Sequence, residues 1–150
     1  MIIVRAATRA DAADISELLV ASITMLCGAD HHDDPAALAA WLANKTPAGV
    51  RKWFASPDMK LFVSERDSDI AAVGAISTSR EIRLNYVLPA HRFAGVSKVL
   101  LRTMEVELGP GDATLTSTAT AHRFYRRMGW QDVPGVEGQD PSELRMHKRL

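Results

Sequence analysis

The chain has 150 residues, 18 basic and 18 acidic side chains, and no net charge at pH 7; 47% of it is hydrophobic. That size and composition predict one globular domain with an ordinary core. The zero balance excludes a nucleic-acid binder driven by a general positive field, and no apolar run approaches the ~20 residues of a membrane span. Cys27 is the only cysteine, so no internal disulfide can form, and it reads as a small buried apolar residue. The halves differ: residues 1–75 carry 7 basic and 10 acidic side chains, residues 76–150 carry 11 and 8.

The opening residues Met1 to Arg5 enter a strand-like run without the charged, apolar and small-residue regions of a signal peptide, so a cytoplasmic location is expected. Ile2 to Val4 predicts a short strand. Thr8 then caps a helix whose apolar positions Ile15, Leu18, Leu19 and Ile23 recur at helical spacing, with Asp11 completing an approximate capping box. His31-His32-Asp33-Asp34 reads as a loop leading to the next cap, with the lining of a binding cleft as an alternative, and no metal site is expected, because metal ligands usually come from well-spaced positions. Asp34-Pro35 and Thr46-Pro47 each place a capping side chain before a proline at the first helical position. They open two helices, one presenting Leu38, Trp41 and Leu42, the other Val50, Trp53 and Phe54; both tryptophans read as core, with one of them reaching a binding cleft as the alternative.

The period then changes to two. Leu61 to Ser64, Ile70 to Ser77 and Ile82 to Leu88 predict three consecutive strands, with turns at Arg66 to Asp69 and at Ser79-Arg80. Helical period returns at Val96, Val99, Leu100, Thr103 and Met104 and stops at Gly109-Pro110-Gly111. Ala113 to Ser117 predicts a strand, Thr120 to Met128 a short helix, and Trp130 to Val133 and Glu143 to Leu150 closing strands, with a loop from Pro134 to Pro141 between them. The sum is a mixed α/β domain of about seven strands and four or five helices.

Chemistry concentrates between Val87 and Leu101. An extended run stops at Pro89, a basic corner follows at His91 and Arg92, and the small residues Ala94, Gly95 and Ser97 open directly into the long helix. A helix N-terminus offers unpaired N–H groups and a partial positive charge, and glycine lets backbone approach a phosphate closely. The stretch reads as a seat for a phosphorylated cofactor.

The loop Arg92 to Ser97 and the stretch Phe124 to Trp130, about thirty residues apart and in this order, give the chain a resemblance to the GCN5-related N-acetyltransferase (GNAT) superfamily. The family's loop pattern, Arg or Gln, any two, Gly, any, Gly or Ala, stands here as Arg92-Phe93-Ala94-Gly95-Val96-Ser97. The second signature, an aromatic pair closed by glycine and an aromatic, stands as Phe124-Tyr125-Arg126-Arg127-Met128-Gly129-Trp130. The likeness runs from about residue 60 to the end. Ser97 replaces the usual small Gly or Ala, and Phe93 replaces a common glycine, so its ring either covers the cofactor or packs inward.

The resemblance implies a GNAT fold around a mostly antiparallel mixed sheet, with acetyl-CoA as cosubstrate and no metal. Its pyrophosphate would sit on the amides of Phe93 to Lys98, and its pantetheine arm would pair with backbone near Tyr86, Val87 and Leu88 as an added strand. Arg92 and Lys98 are charge partners for the phosphates, although Lys98 also reads as an exposed helix lysine. His122, Arg123, Arg126 and Arg127 form a basic helix surface that either meets a further phosphate or is simply solvated. Thr120 reads as a helix cap.

Acetyl transfer to an amine needs a neutral amine, a polarised carbonyl and a stabilised thiolate. The resemblance places the carbonyl's backbone donor near Val87 and makes Tyr125 the acid. Period-two geometry predicts Glu81, Arg83, Asn85 and Val87 on one strand face. Glu81 then stands at the offset where some histone-type relatives carry a catalytic glutamate, or is a turn-exposed carboxylate. Asn85 would bind the acceptor or order a water. The acceptor expected is a small-molecule or peptide amine, with no nucleic acid and no membrane as partner, and the resemblance allows a homodimer. Asp30, Asp33 and Asp34 hint at a cationic acceptor, whose side of the fold is expected from residues 23–58 and 134–142. A domain that binds acyl-CoA as a sensor or scaffold, without catalysis, is the competing reading.

Overall fold

A computed structural model describes residues 1–134 and 144–150. The order is β1 (Ile2–Ala6), a 3-10 turn (Arg9–Asp11), α1 (Ala12–Leu26), α2 (Gly28–His31), α3 (Pro35–Leu42), α4 (Pro47–Phe54), β2 (Met59–Arg66), β3 (Asp69–Ser77) and β4 (Glu81–Val87). A second 3-10 turn (Pro89–His91), α5 (Val96–Leu108), β5 (Asp112–Ser117), α6 (His122–Arg127), β6 (Gln131–Asp132) and β7 (Leu144–Arg149) complete it. The expected mixed α/β architecture is present, with six α-helices among the described residues rather than four or five. The addition is α2, a single turn closed by the His31 and His32 N–H groups on the carbonyls of Cys27 and Gly28, which has no periodicity to announce it. Of the loop expected from Pro134 to Pro141 and the strand expected from Glu143, residues 135–143 lie outside the described residues.

Among the described residues the strands form one sheet in the order β1-β2-β3-β4-β5-β7-β6, antiparallel throughout except between β4 and β5. Helix α5 covers one face, where Val96, Leu100, Leu101 and Met104 pack with Phe62, Ala72, Ile76 and Ile82. Helices α1 and α4 cover the other, where Ile15, Leu18, Leu19 and Val50 meet Val63 and Val73. Burial on both faces explains why Leu61 to Ser64 and Ala71 to Ser77 are continuously buried rather than alternating. Gly74 sets the close approach of α5: a Cβ there would stand 2.7 Å from Met104 Sδ and 3.2 Å from Leu100 Cδ2.

Charged side chains fix the long helix. Glu105, buried beneath α5, accepts from Lys148 Nζ at 2.9 Å, Trp130 Nε1 at 3.1 Å and Arg102 Nη1 at 3.3 Å. At the C-terminus of the same helix Arg80 donates to the carbonyls of Leu108 at 2.6 Å and Gly109 at 2.9 Å, a cation on the negative end of the helix dipole. No helix among the described residues is long and apolar enough to cross a membrane.

The predicted capping box forms in part. Asp11 accepts the Thr8 N–H at 2.8 Å and takes Arg5 on both carboxylate oxygens, at 2.8 and 2.9 Å. The Arg5 hydrogen bond, against the opposing effect of burial, holds its carboxyl at about 2 rather than 3.8. A depressed carboxylate contributes stability that is present above its unfolded pKa and is lost as pH falls through its folded one. The protein is therefore expected to lose about 1–2 kcal/mol between pH 3.8 and about pH 2 through this residue. Asp11→Asn should be less stable by a similar amount at neutral pH and lack that acid step, as read by urea unfolding across the pH series.

Candidate active site

Strands β4 and β5 pair only at Glu81 with Thr114 and at Ile82 with Leu115. Beyond Ile82 they part, and a cavity of about 620 Å³ opens between them. The Leu88 N–H donates to the Ala71 carbonyl at 2.7 Å, so Leu88 and Tyr86 turn their backbone groups toward β3. In an antiparallel pair the alternate residues turn theirs away. The N–H and C=O of Asn85 and Val87 therefore face the fork, unpaired by any neighbouring strand among the described residues.

The side chains at the fork follow from a bulge. Ile76 pairs with Ile82 and Ala75 with Leu84, leaving Arg83 without a partner. Alternation slips by one, and Ile82 and Val87 pack in the same cluster although five residues apart. Asn85 and Val87 consequently look toward α5 and α6, whereas Glu81 falls on the opposite face. The shared face expected for Glu81, Arg83, Asn85 and Val87 is not formed. Glu81 sits where β4 and β5 are still paired, its N–H on Ser77 Oγ at 3.3 Å, and it does not line the cavity.

Tyr125 stands at the apex. It is buried, with its ring edge-on to Trp130 and tilted against Phe124. Burial pushes its phenol up to about 12, and a hydrogen bond with the Asn85 side chain works in the opposite direction. Asn85 Oδ1 is buried without a partner among the described residues. Tyr86 points to the other face, where burial raises its phenol well above the ordinary range. Cys27 also reaches the cavity wall. Burial, helped by the Asp30 carboxylate, pushes its thiol up to about 12, which leaves it inert.

The mouth of the fork is the glycine loop. His91, buried, donates from Nε2 to Asp69 and accepts from Arg66 at Nδ1, each at 3.2 Å, tying the turn to the β2–β3 hairpin. Arg92, Phe93, Gly95, Val96, Ser97 and Lys98 line the cavity, and Ala94 completes the loop behind them. Gly95 occupies the N-cap position of α5 at φ 85°, and no side chain caps the first turn. Arg92, Lys98, Arg123 and Arg127 converge on the same wall, and none of them pairs with a carboxylate among the described residues. His122 instead bonds Asp132 Oδ1 at 2.6 Å, and Arg126 is not part of the lining.

A second cavity of about 310 Å³ lies across β5, lined by Asp30, His31, Ala37, Trp41 and Thr116 to Thr118; the fork shares Thr116 and Thr118 with it. Asp30 builds this wall by accepting from Ala119 N at 2.6 Å and Thr120 Oγ1 at 2.6 Å. Thr120 is thus bound to Asp30 and is not the cap of α6, where Thr118 Oγ1 accepts the Ala121 N–H instead. His31 is buried with Nε2 donating to the Ile23 carbonyl at 2.9 Å and Nδ1 accepting the Asp33 N–H at 3.1 Å. Both ring nitrogens are used to hold α2. Trp53 packs on the α1 core as expected, and Trp41 is the tryptophan that lines a cavity. Thr116, Thr118 and Cys27 carried no sequence signal, because only the parting of β4 from β5 exposes them.

A sheet that forks beside an uncapped helix N-terminus, with a buried phenol at its apex, defines a transferase domain of the GNAT class. The acetyltransferase (GNAT) domain model matches residues 29–143, and the chain belongs to that family of N-acetyltransferases. Among solved structures, a GCN5-related N-acetyltransferase from Rhodopseudomonas palustris superposes with a TM-score of 0.85 at 19% identity, covering 99% of this chain and 95% of that one. The PaiA N-acetyltransferase from Thermoplasma acidophilum, solved with coenzyme A, gives 0.82 at 16% identity over 100% and 99% of the two chains. A ribosomal-protein-alanine N-acetyltransferase from Brucella melitensis gives 0.64 at 18% identity over 99% of each. At such identities the likeness is one of fold. No curated protein matches the chain.

Gly95 separates backbone from sterics. A Cβ there meets nothing within 4 Å, so Gly95→Ala should cost only the left-handed strain, about 1 kcal/mol. Thermal melting should show a Tm lower by about 2–4 °C, with an unchanged circular-dichroism spectrum.

Proposed function

We propose that the fork binds acyl-coenzyme A, with its acyl end at Val87 and Tyr125, and that an amine entering from the second cavity takes the acyl group directly. The observation that carries this reading is that Asn85, Val87 and Tyr125 line one cavity, where the Val87 N–H has no strand partner among the described residues and the Tyr125 phenol meets the Asn85 side chain. The residues present suit the ligand. The uncapped first turn of α5 supplies N–H donors for a diphosphate, and Arg92, Lys98, Arg123 and Arg127 bring charge that no carboxylate among the described residues neutralises. The backbone edge of Asn85 and Val87 offers a strand's hydrogen bonds to the amide-bearing pantetheine arm.

The acyl thioester supplies an electrophilic carbonyl and a thiolate leaving group. The Val87 N–H, held rigidly by the pairing of β4 with β3, donates to the carbonyl oxygen as charge develops there. Tyr125, kept neutral by burial, donates its O–H to the departing sulfur throughout the working pH range. A phenol at about 12 keeps its proton, so its role is to hydrogen-bond the sulfur as charge develops there. The thiolate then leaves, and the proton that the attacking nitrogen loses as the amide forms reaches it through solvent. Asn85 orients that hydroxyl and offers its free Oδ1 to an amine N–H.

Among the described residues no carboxylate or imidazole lines the fork. The amine, with an ordinary pKa of ~10.4, therefore sheds its proton to water in the second cavity before attack. That cavity has one carboxylate, Asp30, and no Lys or Arg in its lining, which favours a small cationic amine as acceptor.

The test is release of free coenzyme A thiol from acetyl-coenzyme A across a panel of small amines. Tyr125→Phe should lower kcat by about 10²–10³-fold while the Kd for coenzyme A changes less than about twofold. In the native enzyme kcat/KM should rise about tenfold per pH unit up to the pKa of the amine, and Glu81→Gln should leave that slope unaltered. Coenzyme A binding without turnover on any amine would make the domain a sensor. A pH profile that flattens near neutrality and is abolished by Glu81→Gln would return the role of base to that residue.

A further inference from the structure

Phe93 combines three features that packing does not account for. Its backbone stands at φ 64°, the left-handed region that a bulky side chain avoids. The residue is 91% exposed, whereas every other Phe, Tyr and Trp of the described residues is buried or half-buried. It also lines the mouth of the fork, with the Arg92 guanidinium 4.6 Å from its ring centroid. The alternative expected from the sequence, a ring packed inward, is not what the structure shows. A strained backbone that holds an apolar ring out in water persists only where the surroundings or a ligand give it a use.

The left-handed turn follows from the loop. Arg92 is extended at φ −60°, ψ 142°, and Gly95 is again left-handed at 85°, so the chain reverses twice in four residues to aim the first turn of α5 at the fork. At Phe93 that reversal swings the side chain to the outside of the loop. Arg92 then covers one face of the ring by a cation–π contact and leaves the other face open. An open π-face beside an anion seat is the recognition chemistry of a nucleotide: phosphate on the amides, base on the ring.

Resting on the coenzyme A reading above, we propose that Phe93 is a stacking platform for the adenine base. The base would close a layered arrangement of guanidinium, phenyl ring and purine at the rim of the cavity. Phe93 thereby acts as a specificity residue. It makes this enzyme discriminate coenzyme A from the shorter phosphopantetheine thiols that share its reactive end.

Titration calorimetry with coenzyme A, 4′-phosphopantetheine and adenosine 3′,5′-bisphosphate tests this on the purified chain. Phe93→Ala, which keeps the Cβ and removes the ring, should weaken coenzyme A and the bisphosphate by at least about fivefold. It should leave phosphopantetheine within about twofold, and Phe93→Trp should bind coenzyme A at least as tightly as the native protein. Phe93→Gly should lose the same affinity while raising Tm by about 2 °C, since strain and ring are removed together. Unchanged coenzyme A affinity in Phe93→Ala, or equal losses for coenzyme A and phosphopantetheine, would overturn the stacking role. Failure of the native protein to bind either thiol would instead overturn the coenzyme reading, and this proposal with it.

Discussion

Everything in this molecule that resembles chemistry depends on β4 having one satisfied edge and one open edge. Its antiparallel pairing with β3 continues from Ile82 to Val87 past the bulge at Arg83, whereas its parallel pairing with β5 ends after two residues. Backbone N–H and C=O groups left without a strand partner are costly if they are also left dry. The fork is the arrangement that spares them: it keeps the edge of Asn85 and Val87 accessible to a ligand that can pair with it. The cavity, the position of Tyr125 and the second opening across β5 are all consequences of that divergence.

The long helix is held so that only its N-terminus is free. Glu105 draws Trp130, Lys148 and Arg102 to its inner side, and Arg80 satisfies carbonyls at its C-terminal end. A buried carboxylate with three donors is expensive to disrupt, since removing one partner strands a charge. The electrostatic asymmetry is thereby built in: negative end neutralised by an arginine, positive end bare and aimed into a cleft walled by Arg92, Lys98, Arg123 and Arg127. Five of the 11 basic side chains of the second half, Arg83 among them, line that cleft.

The bulge at Arg83 shows how one backbone irregularity reassigns chemistry. Alternation alone brings Glu81 to the face of Asn85 and Val87, and the resemblance to a catalytic glutamate follows from that. With Arg83 unpartnered, Glu81 belongs to the other face and to the closed end of the fork. Among the described residues no carboxylate then lines the fork, which is why the proposed mechanism assigns the base to solvent.

Local signals were legible wherever a single segment carried them. The proline starts of α3 and α4, the helical period of α5, the continuous apolar runs of β2 and β3 and the glycine loop are all short-range, because caps, period and backbone freedom act within a few residues. Family membership was legible for the same reason: the loop motif and the Phe124 to Trp130 motif are each written in consecutive residues. Side-chain partners far apart in the chain were not. Asp30 meeting Thr120, Arg80 reaching the end of α5, Asn85 meeting Tyr125 and the exposure of Phe93 depend on how separate elements come to lie against one another. The sequence by itself determined which elements form and what ligand chemistry the loop suits. Only the tertiary structure decided which groups meet at the fork, because the forking of the sheet and the slip at Arg83 are properties of paired strands and not of either strand alone.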